Sequence, residues 1–172
     1  MINAADILNA KVLIVDDLEA NVQLLERMLA SAGYTSVDST MNPVEVCELH
    51  RKNRYDLILL DLQMPVMDGF QVMERLKELD PDGYLPVIVI TAQPAHKLRA
   101  LEVGAKDFVS KPFDVLEVKT RIHNMLEVRL LYKKLEQTVE IRTAELRESE
   151  ARFSALREMA GFCANMRHQR SQ

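Results

Sequence analysis

Five short apolar runs, rich in β-branched residues, recur through the first two thirds of the chain, and a segment of helical period separates each from the next. The runs lie near residues 11–15, 34–39, 56–60, 86–91 and 107–110. Candidate helices lie near 20–32, 43–51, 69–79 and 94–103, and a fifth begins at Asp114. Runs as continuous as Val12-Leu-Ile-Val15 and Pro86-Val-Ile-Val-Ile90 leave no polar face, so the strands they predict are covered on both sides. Strand and helix in strict alternation imply an α/β fold, a doubly wound parallel sheet of five strands. Four of the runs end in chemistry. Asp16-Asp17 follow the first, Asp61 closes the third, Thr91 closes the fourth, and Lys111-Pro112 follow the fifth. In a parallel sheet the C-terminal ends of the strands line one crevice, so residues spread over nearly a hundred positions are expected to meet around one ligand.

A chain of 172 residues, 48% apolar and 28% charged, is enough for one well-filled domain and an appendage. Its formal charge of −4 divides unevenly: residues 1–126 hold 13 Lys/Arg against 19 Asp/Glu, and 127–172 hold 9 against 7. An acidic body and a tail of alternating charge make no nucleic-acid footprint. No stretch approaches a membrane span, and the N-terminus lacks the order of a secretory signal, so a cytoplasmic protein is expected. Cys47 and Cys163 stand far apart without a Cys/His cluster, which suggests neither a disulfide framework nor a zinc site.

From Asp114 onward there is no proline, and the only glycine is Gly161, so the last helix is expected to run to about residue 160. At 1.5 Å per residue that is a rod of about 70 Å. A heptad marks its second half. Tyr132, Val139, Leu146, Phe153 and Ala160 share one position; Val128, Leu135, Arg142, Ser149 and Leu156 share the other. Such a stripe cannot bury itself, and a two-stranded coil with a second copy of the chain explains it most economically. The expected organisation is a globular domain over 1–127, a dimerising coiled-coil extension over 128–160 and a frayed tail over 161–172. Folding back of the amphipathic helix over its own body is the alternative.

Asp16, Asp17 and Asp61 in one crevice put three carboxylates together, and two unit charges about 4 Å apart repel by about 4 kcal/mol at an effective dielectric near 20. A cation is needed. An all-oxygen, partly hydrated site favours Mg²⁺, and Lys111 adds an ammonium. A carboxylate so placed is a plausible nucleophile toward phosphorus, with Asp61 accepting the phosphoryl group, Asp16 and Asp17 holding the metal, Lys111 pairing with the phosphoryl oxygens and the Thr91 hydroxyl donating to one of them.

These residues carry a resemblance. Asp16-Asp17, the run Asp61-Leu-Gln-Met-Pro-Val-Met-Asp-Gly69, Thr91-Ala92 and Lys111-Pro112, with Phe108 three before the lysine, resemble the receiver domain of two-component response regulators over residues 10–127. The resemblance implies a flavodoxin-like sheet of strand order 2-1-3-4-5, phosphate arriving at Asp61 from a sensor histidine kinase, and the carbonyl of Gln63 joining Asp17 and Asp61 around Mg²⁺. It also implies that Lys111-Pro112 is often cis and that Thr91 and Phe108 act as the switch, remodelling the face made by the fourth helix, fifth strand and fifth helix. Within the heptad stripe, Arg142–Phe153 resembles linkers that precede PAS sensor modules. Only the 19 residues 154–172 follow, so the expectation is a chain ending in a coil or a regulatory fragment of a larger PAS, cyclase or phosphodiesterase protein.

Other readings fare worse. A metal-dependent phosphohydrolase typically wants a second acid two residues after the nucleophile, where this chain has Gln63, so no enzyme activity is expected beyond Mg²⁺-dependent self-phosphorylation and slow self-dephosphorylation. An inert scaffold leaves the complete acidic set and Lys111 unexplained. His50, His96, His123 and His168 are each followed by a non-acidic residue, against a kinase phosphorylation motif. Asp68-Gly69 reads as a turn and helix start, and Met64 and Met67 as loop packing.

Overall fold

A computed structural model describes residues 2–79 and 83–169. The chain divides into two compact units, Met1–Tyr132 and Lys133–Gln172. In the first, five strands, β1 (Lys11–Val15), β2 (Ser36–Thr40), β3 (Leu57–Asp61), β4 (Val87–Thr91) and β5 (Asp107–Ser110), form one parallel sheet in the order β2-β1-β3-β4-β5. Helices α2 (Glu19–Ser31), α3 (Val46–Asn53), α4 (Gly69–Leu79) and α5 (Ala95–Val103) connect them, and α6 (Val115–Gln169) follows β5. The doubly wound fold and its strand order are those expected.

Both sheet faces are dry, as the continuous apolar runs require. Val12 and Ile14 of β1, Leu57 and Leu59 of β3, and Ile88 and Ile90 of β4 face α2 and the start of α6, which contribute Leu25, Leu29, Val118, Ile122 and Leu126. The alternate residues Leu13, Val15, Ile58, Leu60, Val87 and Val89 face α3, α4 and α5 through Val46, Phe70, Val72, Leu76 and Ala100. A one-residue slip in any central strand would exchange the two sets, so each register is firmly fixed.

The chain also forms a helix not read from sequence, α1 (Ala4–Leu8). It is short, but Asn3 and Asp6 cap it reciprocally, and Ile7 is buried in the core. The first unit reaches past residue 127 because three residues beyond it pack inward. Leu130 lies against the core, the Arg129 guanidinium donates to the Tyr84 carbonyl, and the Tyr132 ring sits 5.0 Å from that of Tyr84. Nor does α6 stop near residue 160 or give way to a frayed tail there; it continues to Gln169. Gly161 costs about 1 kcal/mol relative to alanine in a helix interior, and without a proline or cap behind it that penalty does not end the helix. Residues 170–172 lie outside the described residues. In the second unit Leu135, Val139, Leu146, Phe153 and Leu156 are all exposed.

Candidate functional site

The sheet order reverses at β1 and β3. β1 connects to β2 on one side, the chain crosses back to β3 on the other, and the crevice opens beyond their C-terminal ends. Pairing of Val15 with Leu60 puts the residue after β1 beside the last residue of β3, bringing Asp16 next to Asp61. Farther along the edge, Thr91 pairs with Ser110, so Lys111 emerges beside them, and its N–H donates to the Thr91 carbonyl at 2.9 Å.

Asp16, Asp17 and Asp61 converge. One carboxylate oxygen from each lies within 4.8 Å of the others. Asp16 and Asp61 are buried, and Asp17 is half-exposed. The Lys111 ammonium bridges the two buried acids, 3.1 Å from Asp16 Oδ2 and 3.3 Å from Asp61 Oδ1. Three carboxylates against one ammonium leave a formal surplus of two negative charges, all on hard oxygen donors, which fits a small divalent cation. Burial pushes the Asp61 carboxyl above the ordinary carboxylate range. Lys111 opposes that shift, the Asp16 charge reinforces it, and hydrogen bonds from Lys111 and the Gln63 backbone oppose it.

Two supports of the site carry no chemical signature in the sequence, where Asn21 has no reading and Gly69 reads only as part of a turn and helix start. Asn21, in the first turn of α2, donates from its amide to both Asp16 oxygens at 3.2 and 3.0 Å, and the Leu18 N–H donates to Oδ1 at 2.9 Å. An asparagine five residues past an aspartate has no signature of its own; only the turn after β1 aims it back. The second is Gly69. A Cβ built there would lie 2.6 Å from the Asp61 carbonyl oxygen and 2.9 Å from Leu62 Cα, so α4 starts against the site backbone only because residue 69 has no side chain. Asp68 and Gln71 cap that helix reciprocally, Gln71 N–H to Asp68 Oδ1 at 2.9 Å and Asp68 N–H to Gln71 Oε1 at 3.0 Å. Asp68 therefore starts the helix, as read.

Thr91 is fully buried at the next strand end, its Oγ1 accepting from the Gln93 N–H at 3.1 Å. Phe108 is half-buried against the α4–α5 side of the core, and the Lys97 ammonium lies 4.7 Å from its ring centroid. The Lys111-Pro112 peptide is cis. Met64 and Met67 are buried among the core residues.

The family model for the response regulator receiver domain matches residues 12–123. The chain belongs to the response regulator receiver family. Over 132 residues, 76% of its length, it is 37% identical to the response regulator PleD of Caulobacter vibrioides, of which the match spans only 29%. Among solved structures, a response regulator from Chloroflexus aurantiacus superposes with a TM-score of 0.65 at 31% identity, covering 69% of this chain and 98% of that one. The receiver domain of the Pseudomonas aeruginosa sensor histidine kinase PA1611, described with a magnesium ion coordinated in its active site cleft, superposes with a TM-score of 0.63 at 26% identity, covering 69% and 98%. The first unit is thus a receiver with an acidic pocket of Asp16, Asp17 and Asp61.

Proposed function

We propose that this receiver is a phosphorylation-controlled signalling module in which Asp61 takes the phosphoryl group from the phosphohistidine of a sensor kinase. One observation carries the reading: the Lys111 ammonium bridges two buried carboxylates at a strand-end crevice beside a third. A carboxylate oxygen of Asp61 forms the new bond to phosphorus while the donor's P–N bond breaks, its electron pair returning to the imidazole nitrogen. Asp16, Asp17, Asp61 and the Gln63 carbonyl would hold Mg²⁺. When bound, Mg²⁺ neutralises phosphoryl oxygen charge. Asn21 and the Leu18 N–H hold the Asp16 carboxylate in place. Lys111 exchanges a carboxylate for the incoming phosphoryl oxygens, and the Thr91 hydroxyl turns from the Gln93 N–H to donate to them. With Phe108, that movement biases the face of α5, β5 and α6. An aspartyl-phosphate hydrolase has less support, because the residue two beyond Asp61 is the exposed Gln63.

Millimolar Mg²⁺ is expected to raise the melting temperature and a chelator to reverse the rise, with stabilisation of about 2.7 kcal/mol at a hundredfold excess over the dissociation constant. A small acyl phosphate is expected to label the protein only while Mg²⁺ is present. A melt indifferent to Mg²⁺, or labelling in the chelator, would remove the metal from the site.

The helix beyond Tyr132 serves, on this reading, as a coiled coil with a second copy, passing the state of Asp61 to an output. No helix among the described residues is long and apolar enough to cross a membrane, which suits a cytoplasmic partner of a sensor kinase. Truncation after Tyr132 keeps the contacts at Tyr84 and removes the exposed stripe, so light scattering is expected to fall from dimer to monomer mass. An unchanged mass would assign the dimer to another surface.

A further inference from the structure

We infer that the coil formed by the second unit is antiparallel, in one register chosen by charge; this rests on the homodimer proposed above. The heptad places Val139, Leu146, Phe153 and Ala160 at one core position and Leu135, Arg142, Ser149 and Leu156 at the other. The large apolar members are all exposed, and a second copy is the partner that would cover them. In a parallel pair each layer meets its own copy. Arg142 then faces Arg142 in the core, and the flanking positions set Glu145 against Glu150 and Arg152 against Arg157, each twice by symmetry. Every flanking charge pair in that stretch repels.

Reversing one helix changes the sign. When Val139 packs opposite Leu156 of the second copy, Leu135 meets Ala160, Leu146 meets Ser149, and Arg142 lies against Phe153, where a guanidinium over an aromatic face is attractive. The flanking pairs become Glu145 with Arg152 and Glu136 with Arg157, again each twice. Sliding by one heptad in either direction restores like-charge contacts, Glu145 with Glu145 one way and Arg152 with Arg152 the other. Two copies of this one helix therefore complement each other only head to tail. Within a chain, Arg142 pairs with Glu145 at 3.0 Å and Arg152 pairs with Glu148, both at the exposed surface, so these side chains are free to exchange partners when a second helix arrives.

The test uses the full chain and reads dimer dissociation by dilution. Arg152→Glu is expected to weaken the dimer about tenfold, and adding Glu145→Arg to restore it. In a parallel coil Arg152→Glu instead relieves repulsion with Arg157 and tightens the dimer, which would overturn the inference, as would no change. Because Glu145→Arg also gives Glu148 a new i,i+3 partner, helix content of the dissociated chains is read by circular dichroism beside the dimer, and a dissociation constant that only follows helix content would overturn the inference. Cys163 supplies the second readout. In a Cys47→Ser background the two Cys163 thiols of the antiparallel dimer stand about 46 Å apart, so oxidation is expected to give no covalent dimer, whereas a Cys163–Cys163 disulfide would establish the parallel arrangement. A monomeric wild-type chain at every concentration would withdraw the coil itself, leaving the chemistry at Asp61 untouched.

Discussion

Asp61→Asn is expected to take up no acid-labile phosphate from a small acyl phosphate under conditions where the wild type is labelled stoichiometrically. An amide oxygen is a poor nucleophile toward phosphorus, and its acyl phosphate analogue has no stable form. The substitution keeps shape and burial, so a null result reports chemistry rather than unfolding. Persistent labelling would move the acceptor to another group, with Asp16 and Asp17 the next candidates because their oxygens share the same 4.8 Å cluster.

The same substitution is expected to raise stability near neutral pH in the absence of divalent cations. Burial and the Asp16 charge together outweigh Lys111 and hold the folded-state pKa of Asp61 above its unfolded value. The native state therefore binds more protons than the unfolded state between the two values, and stability falls as pH rises through that window. A neutral amide escapes the cost. Thermal melts of the two proteins are expected to be farthest apart above the raised pKa and to draw together as the pH falls below the unfolded value, where Asp61 is protonated in both states. A wild type more stable than Asp61→Asn at neutral pH without metal would mean that the Lys111 bridge outweighs desolvation. Saturating Mg²⁺ should reverse the order, since the asparagine has lost an anionic ligand.

What could be read from the sequence follows from what local pattern encodes. Val12–Val15, Leu57–Leu60 and Val87–Ile90 are buried on both faces, so composition alone marks them as central parallel strands, and their ends mark the crevice. The edge strand was harder. Residues 34–39 read as extended, yet β2 runs from Ser36 to Thr40, because the Tyr34 N–H donates to the Leu29 carbonyl at 3.1 Å and the Thr35 N–H to the Leu8 carbonyl at 3.0 Å, which keeps both out of the ladder with β1. The segment from Pro43 starts as a 3₁₀ turn capped by Asn42, and α3 itself begins only at Val46. Asn21 and Gly69 serve the site through contacts that no periodicity carries: one donates across a turn, and the other is defined by an atom it lacks.

Gly69→Ala is expected to be the most damaging conservative change in the receiver. The added methyl carbon would sit 2.6 Å from the Asp61 carbonyl oxygen, 2.9 Å from Leu62 Cα and 2.9 Å from Leu62 Cδ2. Two of those three atoms are backbone and cannot rotate away, so either the start of α4 lifts or β3 shifts. The strand is the worse candidate to yield, since Leu57 to Leu60 are buried on both faces and pair with β1 and β4. Lifting α4 instead strains its anchors: the Gly69 N–H bond to the Leu62 carbonyl at 3.1 Å, the Asp68–Gln71 cap, and the burial of Phe70, Val72 and Met73. Overpacking of this kind costs about 1–3 kcal/mol, and a clash with backbone on two sides belongs at the upper end. A loss of about 3 kcal/mol corresponds to a fall of roughly 6–12 °C in melting temperature for a chain of this size. Because the contacted oxygen is that of Asp61 itself, labelling is expected to fall more than the unfolded fraction explains, measured at a temperature where the variant is still folded. Gly104→Ala is the control: it also sits at a helix end, but a Cβ there meets nothing within 4 Å, so its cost comes from φ +122° alone and phosphate uptake by the folded protein should be unchanged. Equal labelling of folded Gly69→Ala and wild type would show that the crevice tolerates displacement at its floor, and that the absence of a side chain at residue 69 serves packing without serving the site.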